Sequence, residues 1–145
     1  MDRIKLSKNF YLDEFIDPTT YKTYGANSIW FIDQRIITIA QLLRDISGRP
    51  VTINNYIHGG TYKESGYRRP ATNTGAYQSQ HKFGRAIDPK VKGLVVPEVH
   101  NLIHAYWDRF KEAGLTTMED LKLTPSWTHL DCRQTKSDEL LIVKP

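Results

Sequence analysis

Between residues 27 and 47 the apolar positions Ile29, Ile32, Ile36, Ile39, Leu43 and Ile46 recur at three- and four-residue steps, the spacing of one buried helical face. The pattern predicts a helix from Asn27 or Ser28 to Ser47, ended by Gly48. A second stripe of Val99, Leu102, Ile103, Tyr106, Phe110 and Ala113 predicts a helix from about Pro97 to Ala113, with proline in the first turn and Gly114 at its close. Pro50 to Tyr56 reads as a strand, and so do the shorter stretches Arg85 to Asp88, Leu121 to Leu123, Trp127 to Cys132 and Leu140 to Val143. From His58 to Gln80 no period holds, and a loop of that length inside a compact domain is usually functional or mobile. Two main helices and several short strands that do not alternate regularly predict an α+β fold, its helices packed on a mainly antiparallel sheet.

The length of 145 residues is the usual size of one domain, and no repeat, low-complexity tract or linker divides it. Residues 1–145 therefore read as a single domain. Cys132 is the only cysteine, which excludes a bridge within the chain and favours a small buried thiol. The formal charge of +4 suits an anionic surface, bacterial wall or nucleic acid alike. No zinc finger, RNA-recognition signature or lysine-rich tail accompanies it, so no nucleic-acid partner is expected. Residues 1–9 lack the apolar run of a signal peptide, and no segment approaches a membrane span. Synthesis in the cytoplasm, with no membrane partner, is the expectation.

Chemistry concentrates in Ser79-Gln80-His81-Lys82-Phe83-Gly84-Arg85-Ala86-Ile87-Asp88 and in Trp127-Thr128-His129-Leu130-Asp131. Two imidazoles and a carboxylate are ligands that zinc takes at about 2.0–2.2 Å, and three protein ligands leave a fourth tetrahedral position open, as in catalytic sites. One continuous helix would hold His81 and Asp88 about 10.5 Å apart along its axis, close to the combined reach of their side chains. A loop at His81, a turn at Gly84 and a strand ending at Asp88 bring them together more easily. Strand alternation then puts Trp127, His129 and Asp131 on one face and turns Cys132 to the other.

These residues carry a resemblance. The Ser-x-His-x-x-Gly-x-Ala-x-Asp pattern at 79–88, with Trp-x-His-x-Asp at 127–131, resembles the D-alanyl-D-alanine carboxypeptidase family of zinc peptidases, which includes bacterial wall enzymes, phage endolysins and the hedgehog fold. Ser65-Gly66-Tyr67-Arg68 is similar to another segment of that family, and Asn9 to Phe15 resembles the opening of its phage-type members. The resemblance implies a hedgehog-like fold, Zn2+ held by His81, Asp88 and His129, and Arg68 as a contact to substrate or oxyanion. It implies a peptidoglycan stem peptide as the substrate, cut by a carboxypeptidase or endopeptidase that reaches the wall from the cytoplasm or within a phage virion.

Several branches of the family place a general-base Glu three residues before the last ligand, where this chain has Ser126. Asp131 is then the candidate for the base, two residues beyond His129 on the ligand face. Equally open is a role as the carboxylate that orients the His129 imidazole. If the base is lost, the chain reads instead as a zinc-stabilised, non-hydrolytic wall-binding module or a virion structural module partnered by other phage proteins.

Other residues have blander readings. His100 and His104 have the spacing of a helical zinc pair, but Asn101 stands where a metalloprotease helix carries Glu, so a solvated helix face is the expectation. His58 reads as a loop histidine. Of Tyr62, Tyr67 and Tyr77, at least one is expected to pin the long loop by burying its ring. Arg69 is a second candidate for the role given to Arg68. Ser79 lacks a free base beside it and is not a nucleophile.

Overall fold

The structure, a computed structural model, describes residues 2–145 as a small α+β domain of four helices and two sheets. Helix α1 (Pro18–Tyr24) starts where the carboxylate of Asp17 accepts hydrogen bonds from the amides of Thr19 and Thr20, with Pro18 in the first turn. The periodicity of the chain did not disclose it, because its only buried residue is Thr20. A 3₁₀ segment follows, Gly25–Phe31.

Helix α2 spans Gln34–Ser47, not Asn27 or Ser28 to Ser47. Asp33, extended at φ −71° and ψ 130°, caps it by accepting from the amide of Arg35. That cap stops the helix from extending backwards, and leaves Ile29 exposed, outside the buried stripe. Ile36, Ile37, Ile39, Ala40 and Leu43 form the stripe that is buried. The second expected helix is broken in two at Tyr106 (φ −114°, ψ 30°), giving α3 (Val96–Ala105) and α4 (Trp107–Ala113). After the break, Trp107 and Phe110 pack into the same core as α2. Gly114, left-handed at φ 109°, closes α4 as expected.

The strands are β1 (Val51–Thr52), β2 (Ala86–Ile87), β3 (Lys90–Val91), β4 (Thr117–Glu119), β5 (Leu130–Asp131) and β6 (Leu141–Val143). Strands β1 and β3 pair antiparallel, while the larger sheet runs β2-β5-β4-β6, antiparallel except for the parallel β4–β6 pair. Four strand expectations are shortened to two or three paired residues. A fifth, Leu121 to Leu123, is replaced, because the carbonyl and carboxylate of Asp120 accept amides at 122, 123 and 124 and turn the chain there. The strand lies just before it, at β4.

Register decides what the sheet does. Ala86 and Thr117 both face Asp131, and Ile87 and Met118 both face Leu130. Ile87, Met118 and Leu130 are therefore one row, fully buried against the α2, α3 and α4 side of the sheet. Continuing the register by one residue places Asp88 and Glu119 on either side of His129, on the face turned away from the core.

Candidate metal centre

The three expected ligands converge. His81 Nε2, Asp88 Oδ1 and His129 Nδ1 stand 3.1, 3.1 and 3.2 Å from one another. A tetrahedral zinc with bonds of about 2.05 Å spaces its ligand atoms about 3.3 Å apart, so a triangle of this size fits such an ion. The protons on the two rings fit as well. His81 Nδ1 donates to the carbonyl of Gly66 at 2.7 Å, and His129 Nε2 donates to Asp131 Oδ2 at 2.8 Å. In its neutral form each imidazole thus turns an unprotonated nitrogen to the common point. His81, Asp88 and His129 can hold a metal ion.

Local structure explains how the ligands are placed. His81 lies on a 3₁₀ turn, Gln80–Phe83, capped by the Ser79 hydroxyl and closed by left-handed Gly84. Ser79 thus has a structural task. Ser65 to Arg68 forms the hub under the site. The carbonyl of Ser65 accepts the amide of Asp88, Gly66 accepts from His81, the amide of Tyr67 donates to Phe15, and Arg68 donates to the carbonyl of His81. A Cβ at Gly66 would sit 2.5 Å from the carbonyl oxygen of Phe15, so only glycine lets the hub approach so closely. Tyr67 pins the long loop by burial and by stacking on Phe31 at 5.2 Å, whereas Tyr77 stands in solvent.

The loop forms one wall of an open cleft of about 570 Å³ above the triangle. Arg68 lines it with Nη2 on Asp88 Oδ2 at 3.1 Å; Arg69 instead pairs with Asp17 away from the cleft. Trp127, Arg133 and Glu119 form the facing wall. Glu119 was missed in the sequence, where its three-residue strand carries no visible period. Its Oε1 lies 3.8 Å from His129 Nδ1, and its Oε2 accepts from Trp127 Nε1 at 3.0 Å.

Asp131, a candidate base in the sequence, does not reach the cleft. It is fully buried behind His129, does not line the cleft, and is held by both Nε and Nη2 of Arg133. It contacts the nitrogen of His129 that faces away from the triangle, the contact an orienting carboxylate makes. Burial would raise its pKa, but His129 and Arg133 outweigh burial and lower it. Asp131→Asn should weaken metal binding, read with added zinc, about 10- to 100-fold while leaving the fold intact. Competition titration against a fluorescent chelator measures this, and unchanged affinity would remove the orienting role.

The same carboxylates set the pH response of the metal-free protein. Burial pushes His129 down, but Asp131, Asp88 and Glu119 outweigh burial and raise it from 6.5 to about 9. Asp88 moves the opposite way: burial would raise it, yet the two histidines hold it well below the usual carboxylate range. A histidine raised on folding contributes stability that is complete below 6.5 and disappears as pH climbs through about 9. A metal ion at the triangle would require the neutral ring and so compete with that proton. The chelated protein should lose Tm between pH 6.5 and 9, while the increment that zinc adds grows over that window. Calorimetry with and without chelator tests this; a Tm of the chelated form that is flat across the window would contradict it.

The remaining candidates lie elsewhere. His100 is buried, with Nε2 unpartnered among the described residues and its pKa lowered chiefly by burial, so it is not on a solvated face; His104 is exposed. His58 is exposed and outside the cleft. Cys132 is buried in the core with its thiol pushed up to about 12, chiefly by burial. No described helix is long and apolar enough to cross a membrane. No protein-family model, curated protein or solved structure matches this chain.

Proposed function

We propose that this chain is a zinc-dependent peptidoglycan peptidase, a phage-type relative of the D-alanyl-D-alanine carboxypeptidases with a hedgehog-like fold, acting on stem peptides at the bacterial wall. One observation carries the reading: a triangle of ligand atoms sized for zinc, at the floor of an open cleft, with the carboxylate of Glu119 beside it. The resemblance of the motifs at 65–68, 79–88 and 127–131 supplies the substrate class.

His81, Asp88 and His129 would hold the zinc ion, which would supply Lewis acidity for a carbonyl and for water. The residues of the chain do the rest. Trp127 fixes one oxygen of Glu119, leaving Oε1 to accept a proton from the attacking water and pass it to the leaving amine as the C–N bond breaks. Arg68 steadies Asp88 and presents a cation to substrate carboxylate or developing oxyanion. Asp131, held by Arg133, keeps His129 in the tautomer that faces the ion.

Ser126, which favoured a non-hydrolytic module, is exposed and does not line the cleft; with Glu119 in the cleft wall, its lack of a carboxylate is no longer decisive. Zymography on purified peptidoglycan tests the proposal. Clearing should appear with zinc-loaded protein, vanish after chelation and return with added zinc. If no wall type is cleared by zinc-loaded protein, the non-hydrolytic module takes its place.

A further inference from the structure

Lys90, on β3, does not line the metal cleft, yet its ammonium reaches the segment that carries the site. Nζ donates to the hydroxyl of Ser65 at 2.5 Å and to the carbonyl of Ile53 at 3.3 Å, and it lies 3.8 Å from the ring centroid of Tyr62. The side chain is half-buried and makes no ion pair among the described residues; the carboxylate of Asp88, two residues away, pairs with Arg68, His81 and His129 instead. Taking a cation out of water without a counter-ion costs free energy that a methionine of similar length would not incur. The ammonium offsets that cost with two hydrogen bonds and a cation–π contact, all of which end on the segment between Ile53 and Ser65.

Ser65 is a residue on which two ligands depend. Its amide donates to Asn54 Oδ1 at 2.9 Å, its carbonyl accepts the amide of Asp88 at 2.8 Å, and the next carbonyl, that of Gly66, accepts from His81 Nδ1. Residues 88–90 therefore hold Ser65 at two points, by the amide of Asp88 at its carbonyl and by the ammonium of Lys90 at its hydroxyl. Without the second point, the Asp88 backbone and the His81 ring both lose part of their support. We infer that Lys90 is a positioning residue of the metal centre, which keeps Asp88 and His81 aligned on one ion by fixing Ser65. The inference rests on the metal site within the proposed function and not on the cleavage of any peptide.

Titration with cobalt(II), followed by its visible absorption, reads both affinity and ligand geometry. Lys90→Met should weaken cobalt binding about tenfold, at the low end of what the supporting partners of metal ligands contribute, and should shift the absorption bands. Lys90→Arg, which keeps the charge and the donors, should recover part of the affinity. Tyr62→Leu, which removes the ring and leaves both hydrogen bonds, should lose less than Lys90→Met. Two controls separate this role from general ones. Lys92→Met removes the same charge from an exposed position on the same stretch of chain, and Ile39→Val lowers Tm from the core of α2; both should keep wild-type affinity and bands. The inference is overturned if Lys90→Met matches wild type in affinity and bands, or if Ile39→Val alters them as much. Should Lys90→Met fail to fold, Tyr62→Leu decides in its place, and wild-type behaviour there overturns the inference. Wild-type protein that takes up no cobalt removes the metal centre itself and this role with it. A metal site dependent on Lys90 in protein that clears no peptidoglycan removes the peptidase reading and leaves the role of Lys90 standing.

Discussion

On the proposed peptidase reading, Glu119→Gln is expected to lower kcat on wall peptides by about 10²- to 10⁴-fold, the usual contribution of a positioned general base, while zinc stoichiometry and Tm stay near wild type. In free-energy terms that is about 3–5 kcal/mol of barrier. The substitution is nearly isosteric, and the new amide oxygen can still accept from Trp127 Nε1, so the side chain keeps its place and loses only its basicity. Because Glu119 lies 3.8 Å from His129 Nδ1 and is not one of the three ligand atoms that form the triangle, the metal set survives the change. Asp131→Asn differs in kind: its loss falls on zinc affinity, and saturating zinc should restore much of the rate. Single-turnover kinetics at saturating zinc distinguish the two variants. Full activity in Glu119→Gln would mean that the proton goes elsewhere.

Gly84→Ala is expected to be among the most damaging single changes to the fold. Gly84 sits at φ +69°, a conformation that costs an L side chain about 1–2 kcal/mol. A Cβ there would overlap the carbonyl oxygen of Phe31, which is backbone and cannot rotate aside. The carbonyl of Gly84 also accepts the amide of Asp33, the residue that caps α2, and the amide of Gly84 closes the turn that carries His81. Moving Gly84 therefore shifts the start of the main helix and a metal ligand together. A loss of about 2–4 kcal/mol, or roughly 6–15 °C in Tm for a chain of this size, should come with weakened zinc binding. Melting curves and zinc titration on the same preparation check both; a variant with wild-type Tm and zinc affinity would show that the Phe31 segment yields easily.

The buried stripe of α2 was legible because large aliphatic residues at three- and four-residue spacing rarely recur along a chain unless one helical face is buried. Gly48 and Gly114 ended their helices where left-handed closure was needed. The metal triad was legible because its residue types and order are unusual for structural side chains. Less legible were breaks made by single residues: Asp33 capping in the middle of an apolar stripe, Tyr106 splitting α3 from α4, and Asp120 ending β4. Each competes locally with a pattern that continues through it. The sequence alone determined which residue types were available to hold a cation and which stripes had to be buried, since composition and periodicity are properties of the chain itself. Only the tertiary structure decided that Glu119 faces the cleft while Asp131 lies behind His129. That choice is made by pairing β4 and β5 in one register, and a slip of one residue would have turned both side chains to the opposite face.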